Sequence, residues 1–270
     1  MPSIDGVMFD IGRLDELSRL DTPVHRLDPR AKVLATACFI LAVVSFGKYE
    51  IVALLPFILY PVALLSLAGL PWGYVLRKVL LAVPFVLFVA IFNPLLDREP
   101  MVRIGAVTLS GGWVSFLSIM IRFALTVSAA FILIACTGLD AVCLGLERMR
   151  VPKAMVVQLL FLHRYLFVLM EETSRTIRAY SLRSFRRSGV LWRVFGSLVG
   201  LLLLRTIDRA QRIHAAMLSR AFDGEIRIAR RLSFGWRDAL FVAGWAAFFV
   251  LARLVNLPRA LGNLVMRTMQ

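Results

Sequence analysis

Two arginines stand out by what surrounds them. Arg183 lies in the string Ala179-Tyr180-Ser181-Leu182-Arg183-Ser184. Arg220 lies in Ala216-Met217-Leu218-Ser219-Arg220-Ala221, which continues into Phe222-Asp223-Gly224. Each string places an alanine four residues before an arginine and a small residue just after it. A guanidinium presents its donors in a fixed fork and can grip an acidic group through two parallel hydrogen bonds. The small residues Ala179, Ser184, Ala216, Ser219 and Ala221 let a partner surface come close to that fork. Two such arginines, one per helix, would suit two copies of a partner.

Arg205, Arg209 and Arg212 precede Arg220 at spacings that keep all four on one helical face. Leu204, Ile207, Ala210 and Met217 form an apolar stripe displaced from it. Asp208 precedes Arg212 by four residues, the favoured order for a helical ion pair, and Glu171 stands in the same relation to Arg175. Spacing alone leaves two uses open for this basic face: docking into a groove on a partner protein, or attraction to anionic lipid.

Little else in the chain suggests chemistry. No Gly-x-x-x-x-Gly-Lys-Ser/Thr string occurs, so no P-loop is expected. His25, His163 and His214 are far apart in sequence and have no metal-ligand companions nearby. Cys38, Cys136 and Cys143 show neither CxxC spacing nor an adjacent histidine, and read as small packing residues. No metal and no cofactor is expected on this chain. His163 and Arg122 fall in apolar stretches, where packing, interfacial or snorkelling roles account for them.

The elements that must position these arginines follow from composition. The chain has 270 residues, 59% hydrophobic and 18% charged, with mean hydropathy +0.77. A soluble domain is about half apolar and a quarter charged, so this chain calls for a bilayer. Its net charge of +15 sits mainly between apolar runs, as in the cytoplasmic loops of membrane proteins, and nucleic acid is not an expected partner. The first 30 residues lack the apolar core of a signal peptide.

A crossing helix needs about 20 apolar residues. Apolar runs are Val33 to Gly47, Ile51 to Val75 with kinks at Pro56 and Pro61, Val79 to Leu96, Phe123 to Leu139 reaching back through Arg122 to about Gly112, and Ala239 to Ala252. Ala154 to Met170 and Val194 to Leu204 are apolar stretches that could lie at the surface or dip into it. Five or six spans are predicted. The loop Asp97 to Gly112 suits a short hairpin or turn and faces outwards by the positive-inside rule; the N-terminus, Arg77–Lys78 and the Arg148, Arg150, Lys153 cluster face the cytoplasm.

Between Glu171 and Asp238 the chain is arginine-rich and has no lysine, without the Gly, Pro and Ser density of a disordered loop. It reads as two helices, from about Pro152 to Phe185 and from about Val190 to Phe222, broken at Arg186, Arg187, Ser188 and Gly189. The predicted fold is all-α and polytopic, with two long cytoplasmic coupling helices. Residues 1–151 form an N-terminal membrane domain, 152–235 the coupling-helix region, and 236–270 a C-terminal span and tail.

The paired arginine strings, together with Pro23-Val24-His25-Arg26-Leu27-Asp28-Pro29-Arg30-Ala31-Lys32 before the first run, resemble the transmembrane (T) components of energy-coupling factor transporters. These are ABC-class importers of vitamins and transition-metal ions. Arg220 to Gly224 and the His-Arg-Leu-Asp-Pro-Arg string look most like the cobalt-transport, CbiQ-type branch. In that family the two strings end in Ala-Arg-Gly or a variant and dock on two cytoplasmic ATPases; here they read Leu-Arg-Ser and Ser-Arg-Ala.

The resemblance implies a non-catalytic subunit of the bacterial inner membrane, with Arg183 and Arg220 as docking residues. Its partners would be two ABC-type ATPase subunits, which carry ATP and Mg, and a separate substrate-binding membrane subunit; Val194 to Leu204 and Ala154 to Met170 are candidates for contacting the latter. A stand-alone secondary transporter would need inverted repeats and polar groups at the membrane midplane, and a membrane enzyme would need clustered His, Asp or Glu. Neither pattern is visible.

Overall fold

A computed structural model of the chain describes residues 12–96, 100–104, 107–183, 192–224 and 234–254. The chain divides into two compact units. One comprises Asp15–Gly145 with Leu232–Gln270, and the other Met1–Leu14 with Leu146–Arg231. The architecture is that of an all-α polytopic membrane protein.

A short helical stretch at residues 12–17 (α1) runs across the boundary at Leu14 into the first unit, and α2 (Pro29–Val44) follows. Asp28 caps α2: its side chain accepts from the Arg30 amide at 2.9 Å, and Pro29 occupies the first helical position, where an amide hydrogen would go unpaired. The His-Arg-Leu-Asp-Pro-Arg string therefore builds a helix start. A 3-10 turn (Val52–Ile58) and α3 (Leu59–Ala68) follow, then α4 (Trp72–Ala90), α5 (Phe92–Leu96), α6 (Gly111–Thr137) and α7 (Leu139–Arg148). Between α5 and α6, β1 (Pro100–Ile104) and β2 (Val107–Ser110) pair antiparallel, with Ile104 opposite Val107. This is the hairpin predicted for that loop. The last helix of the unit is α10 (Trp236–Leu254).

The run Ile51 to Val75 is not one kinked span. Pro56 lies within the 3-10 turn, while Pro61 sits in the first turn of α3 and disturbs nothing, because that turn lacks intrahelical acceptors. The true break is Gly69. It adopts φ 63°, which only glycine takes without strain, and the Leu70 amide closes back on the Leu65 carbonyl at 3.2 Å. Arg77 and Lys78 consequently lie inside α4 and not in a loop.

An aromatic cluster forms the core. Phe39 of α2 stacks on Tyr60 at 4.6 Å between centroids and meets Phe249 of α10 at 5.5 Å; Phe57 and Trp245 complete it. Phe39, Phe57 and Tyr60 are fully buried. The Tyr60 hydroxyl shares a hydrogen bond with Thr36 at 2.9 Å, so the polar end of the ring is satisfied inside the core. Lys32 is also buried, its ammonium donating to the Cys136 carbonyl at 3.1 Å and to the His25 carbonyl at 3.4 Å.

α2 and α10 run parallel. At their starts the Asp28 amide donates to the Asp238 carboxylate at 2.8 Å, and the other Asp238 oxygen accepts from the Gly235 amide at 2.8 Å. At their ends Arg253 donates to the Ser45 carbonyl at 3.0 Å, lies 3.5 Å from Glu50, and covers the Phe46 ring at 4.2 Å. Arg122 of α6 donates to the Gly47 carbonyl. The intramembrane arginine of the sequence thus binds a backbone carbonyl just past α2.

α7 meets α2 at the same place. A Cβ on Gly145 would stand 3.3 Å from Pro29 Cβ, so the missing side chain permits the close approach. The first turn of α2 therefore receives both Gly145, just before the second unit, and Asp238, just after it.

Among the described residues, three helical segments are long and apolar enough to cross a membrane: Trp72–Pro94, Gly111–Thr137 and Lys153–Arg183. Val52–Ala68 is a shorter apolar helix, and α10 carries Arg237, Asp238 and Arg253 at its two ends. On α4, Leu76, Leu81, Phe85 and Phe88 are exposed, an apolar face suited to acyl chains.

His25 is buried at this junction. The Thr22 hydroxyl is 2.7 Å from its Nδ1 and the Leu17 carbonyl 3.1 Å from its Nε2, an arrangement that a neutral imidazole protonated on Nε2 satisfies. Burial holds its pKa below the ordinary histidine value. The unfolded state therefore binds the proton more readily, and stability should fall as pH drops through about 6.5. Melting curves in detergent between pH 7.5 and 5.5 should show this decline, and His25→Gln should flatten it. Asp238→Ala should cost about 2 kcal/mol, since it leaves two amide donors without their acceptor; chemical denaturation in detergent measures it.

Candidate functional site: the α8–α9 pair

The second unit contains α8 (Lys153–Arg183) and α9 (Trp192–Leu218). At a rise of 1.5 Å per residue these are about 46 and 40 Å long. The predicted helices are present with nearly the expected bounds. The expected break at Arg186 to Gly189 lies outside the described residues, as does Ser184.

The two helices are antiparallel where they meet. Glu172 of α8 accepts from Arg205 of α9 at 2.9 Å, and Arg164 and Tyr165, earlier in α8, share a cleft with Ile213 and Ala216, later in α9. Arg183 is the last residue of α8, and Arg220 lies just past the end of α9. Measured along the helices from the Glu172–Arg205 pair, they stand about 16 and 22 Å away in opposite directions. Arg183 and Arg220 are both exposed, with Ala179, Ala216, Ser219 and Ala221 exposed beside them. The structure thus puts one arginine string at each end of an antiparallel pair.

The end of α9 is built with care. Ala221 takes φ 57°, the Phe222 amide bonds the Met217 carbonyl at 3.1 Å, and the Ala221 amide bonds the Leu218 carbonyl at 3.0 Å. This is a Schellman closure with alanine in the left-handed position. Phe222 and Met217, the two positions whose apolar side chains usually accompany this motif, line the same cleft. The closure ends the helix at Arg220 and turns the chain away, leaving the guanidinium at the tip. α7 ends in the same way, with Arg150 at φ 71° and the Val151 amide on the Leu146 carbonyl at 3.2 Å.

The supporting arginines divide. Arg205 makes the inter-helix pair, Arg209 lines a cleft between α8 and α9, and Arg212 is exposed. Glu171 pairs with Arg175 as the spacing predicts. The other predicted pair is not made: among the described residues no ion pair joins Asp208 to Arg212. The displaced stripe also divides, with Ala210 and Met217 turned to the cleft and Leu204 and Ile207 exposed. His163 is half-buried and meets Phe167 edge-on at 5.3 Å, a packing contact. Among the described residues no cluster of His, Cys, Asp or Glu could hold a metal ion.

Comparison with known proteins decides the family. Residues 21–229 match the CbiQ family, described as cobalt transport protein. The chain belongs to the CbiQ cobalt transport protein family. Relatives include the energy-coupling factor transporter transmembrane protein EcfT of Bacillus selenitireducens, 27% identical over 95% of this chain and 100% of the relative. EcfT of Heliobacterium modesticaldum is 32% identical over 76% of this chain and 82% of its own length. The cobalt transport protein CbiQ of Rhodobacter capsulatus is 32% identical over 31% of this chain and 35% of its own. The resemblance seen in the arginine strings is therefore a family relationship, and this CbiQ-family chain is a transporter transmembrane subunit.

The position just after the arginine of a string carries a backbone constraint of its own. In the second string that position is Ala221, which is left-handed. Ala221→Gly should retain or slightly raise the melting temperature, whereas Ala221→Val should lower stability by about 1 kcal/mol or more, because a β-branched residue is strained there. Thermal unfolding in detergent separates the two.

Proposed function

We propose that this chain is the energy-coupling subunit of an energy-coupling-factor importer for cobalt ions. It takes ATP-driven movement from two cytoplasmic ATPases and delivers it to a separate substrate-binding membrane subunit. Cobalt is the cargo and is selected by that other subunit; ATP and Mg belong to the ATPases. The observation that carries the reading is the α8–α9 pair, with an exposed arginine string at each of its two ends.

The mechanism is a rigid-body one. Each ATPase holds one tip, Arg183 in one case and Arg220 in the other, through bidentate charge-assisted bonds. When the two ATPases close, the tips move with them, and long helices transmit the displacement without needing to bend. The apolar stretches Ala154 to Met170 and Val194 to Leu204 then pass it to the membrane partner. Arg205 and Arg212 support the basic face around the tips.

The chain resides in the bacterial inner membrane with its N-terminus in the cytoplasm. Because α2 and α10 are parallel, both then end on the outer face, and the coupling region 152–235 leaves from and returns to the cytoplasmic side.

The test is a pull-down from detergent, with the genomically neighbouring ATPases co-expressed. Arg183→Glu and Arg220→Glu should each weaken co-purification, by several kcal/mol or so if the arginine faces a close carboxylate. The double variant should lose the ATPase entirely, and Arg209→Glu should do less than either tip. Equal losses from all three would mean a diffuse basic surface and no docking sites. A wild-type chain that captures no ATPase would overturn the coupling role.

A further inference from the structure

We propose that the cleft between α8 and α9 is a binding site for one anionic phospholipid, with its phosphate on Arg209 and an acyl chain along Phe161, Leu162, Val168 and Ile213. The cleft has a volume of about 460 Å³, within the usual range for a small-molecule site. Its walls are mostly apolar and aromatic. Its polar lining is Gln158, Tyr165, Thr206, Arg209 and His214, with no carboxylate. The nearest acids on α8 are already engaged, Glu171 with Arg175 and Glu172 with Arg205. A second cleft of about 460 Å³ shares Phe161, Tyr165, Ile213, Met217 and Phe222 and adds Arg164 and Arg220, again without a carboxylate.

The occupant must therefore be apolar along most of its length and negative at one end. Position agrees with this. α8 is long and apolar enough to cross or lie in a bilayer, and Leu162, on the cleft wall, is 63% exposed. Free phosphate would leave the apolar walls of the cleft uncovered. A cation would meet Arg209. A single acyl chain is thin enough, and burying it is favourable per methylene while the arginine fixes the headgroup.

The site is independent of ATPase docking and is tested without the ATPases. The detergent-solubilised full chain is titrated with phosphatidylglycerol and with phosphatidylcholine, and bound lipid is counted by native mass spectrometry. Wild type should prefer phosphatidylglycerol by roughly tenfold, because the choline of phosphatidylcholine sets a like charge against Arg209 beside the phosphate that both lipids share. Arg209→Gln should abolish the preference, and Ala210→Trp, which fills the cleft, should abolish binding of both. Inorganic phosphate at the same concentration should not compete. Because Arg209→Gln adds no bulk, it reads the site even if the tryptophan does not fit. Equal binding of the two lipids by wild type, or an undiminished preference in Arg209→Gln, would overturn the proposal. So would an Ala210→Trp chain that keeps phosphatidylglycerol but loses a co-purifying membrane subunit, which would make the cleft a protein interface.

Discussion

The first turn of α2 is where the chain is held together. Pro29 fits against Gly145 at the end of one excursion, and the Asp28 amide is taken by Asp238 at the start of the return. Between those two contacts lies the whole arginine-rich region. Asp238 is buried and bonds two amides at 2.8 Å, and Lys32 one turn along is buried on two backbone carbonyls. Buried polar groups are costly unless satisfied, so a network of this kind tolerates few arrangements.

The pair itself is held differently. Glu172 and Arg205 are partly exposed, and an ion pair of that kind contributes about 1 kcal/mol or less. The clefts beside it are open, and most of the apolar residues that line them are only half-buried. α8 and α9 are thus rigid as individual helices and lightly joined to each other. That combination suits a device whose two ends must respond to two separate pushes. It also leaves room for a lipid to fill the space between them.

Much of this was legible in the sequence, for identifiable reasons. Helix bounds came from uninterrupted apolar or charged periodicity, so α6, α8, α9 and α10 lie close to their predicted ranges. The hairpin before α6 was legible from the glycines, valines and threonine around it. The run from Ile51 misled because it is apolar throughout: hydropathy does not register that Gly69 is left-handed, whereas the two prolines it does contain are harmless at their positions. The arginine strings were visible as repeats, but Ala221's left-handed turn was not, since alanine rarely adopts it. Contacts that join residues far apart in sequence were beyond reach altogether. Asp28 with Asp238, and Glu172 with Arg205, depend on tertiary packing that no local pattern encodes. Asp208 with Arg212 shows the converse, a favourable spacing that is not used.

The central claim is that α8 and α9 carry two docking tips at opposite ends and move when the ATPases do. The most direct measurement is a spin-label distance between Leu182 and Leu218, both exposed and adjacent to the tips, in the purified complex with and without ATP and Mg. Antiparallel helices meeting at Glu172 and Arg205 predict a separation of about 35 Å without nucleotide, and a shifted distribution with it. A short distance, or one that nucleotide leaves unchanged while the ATPases close, would contradict the account.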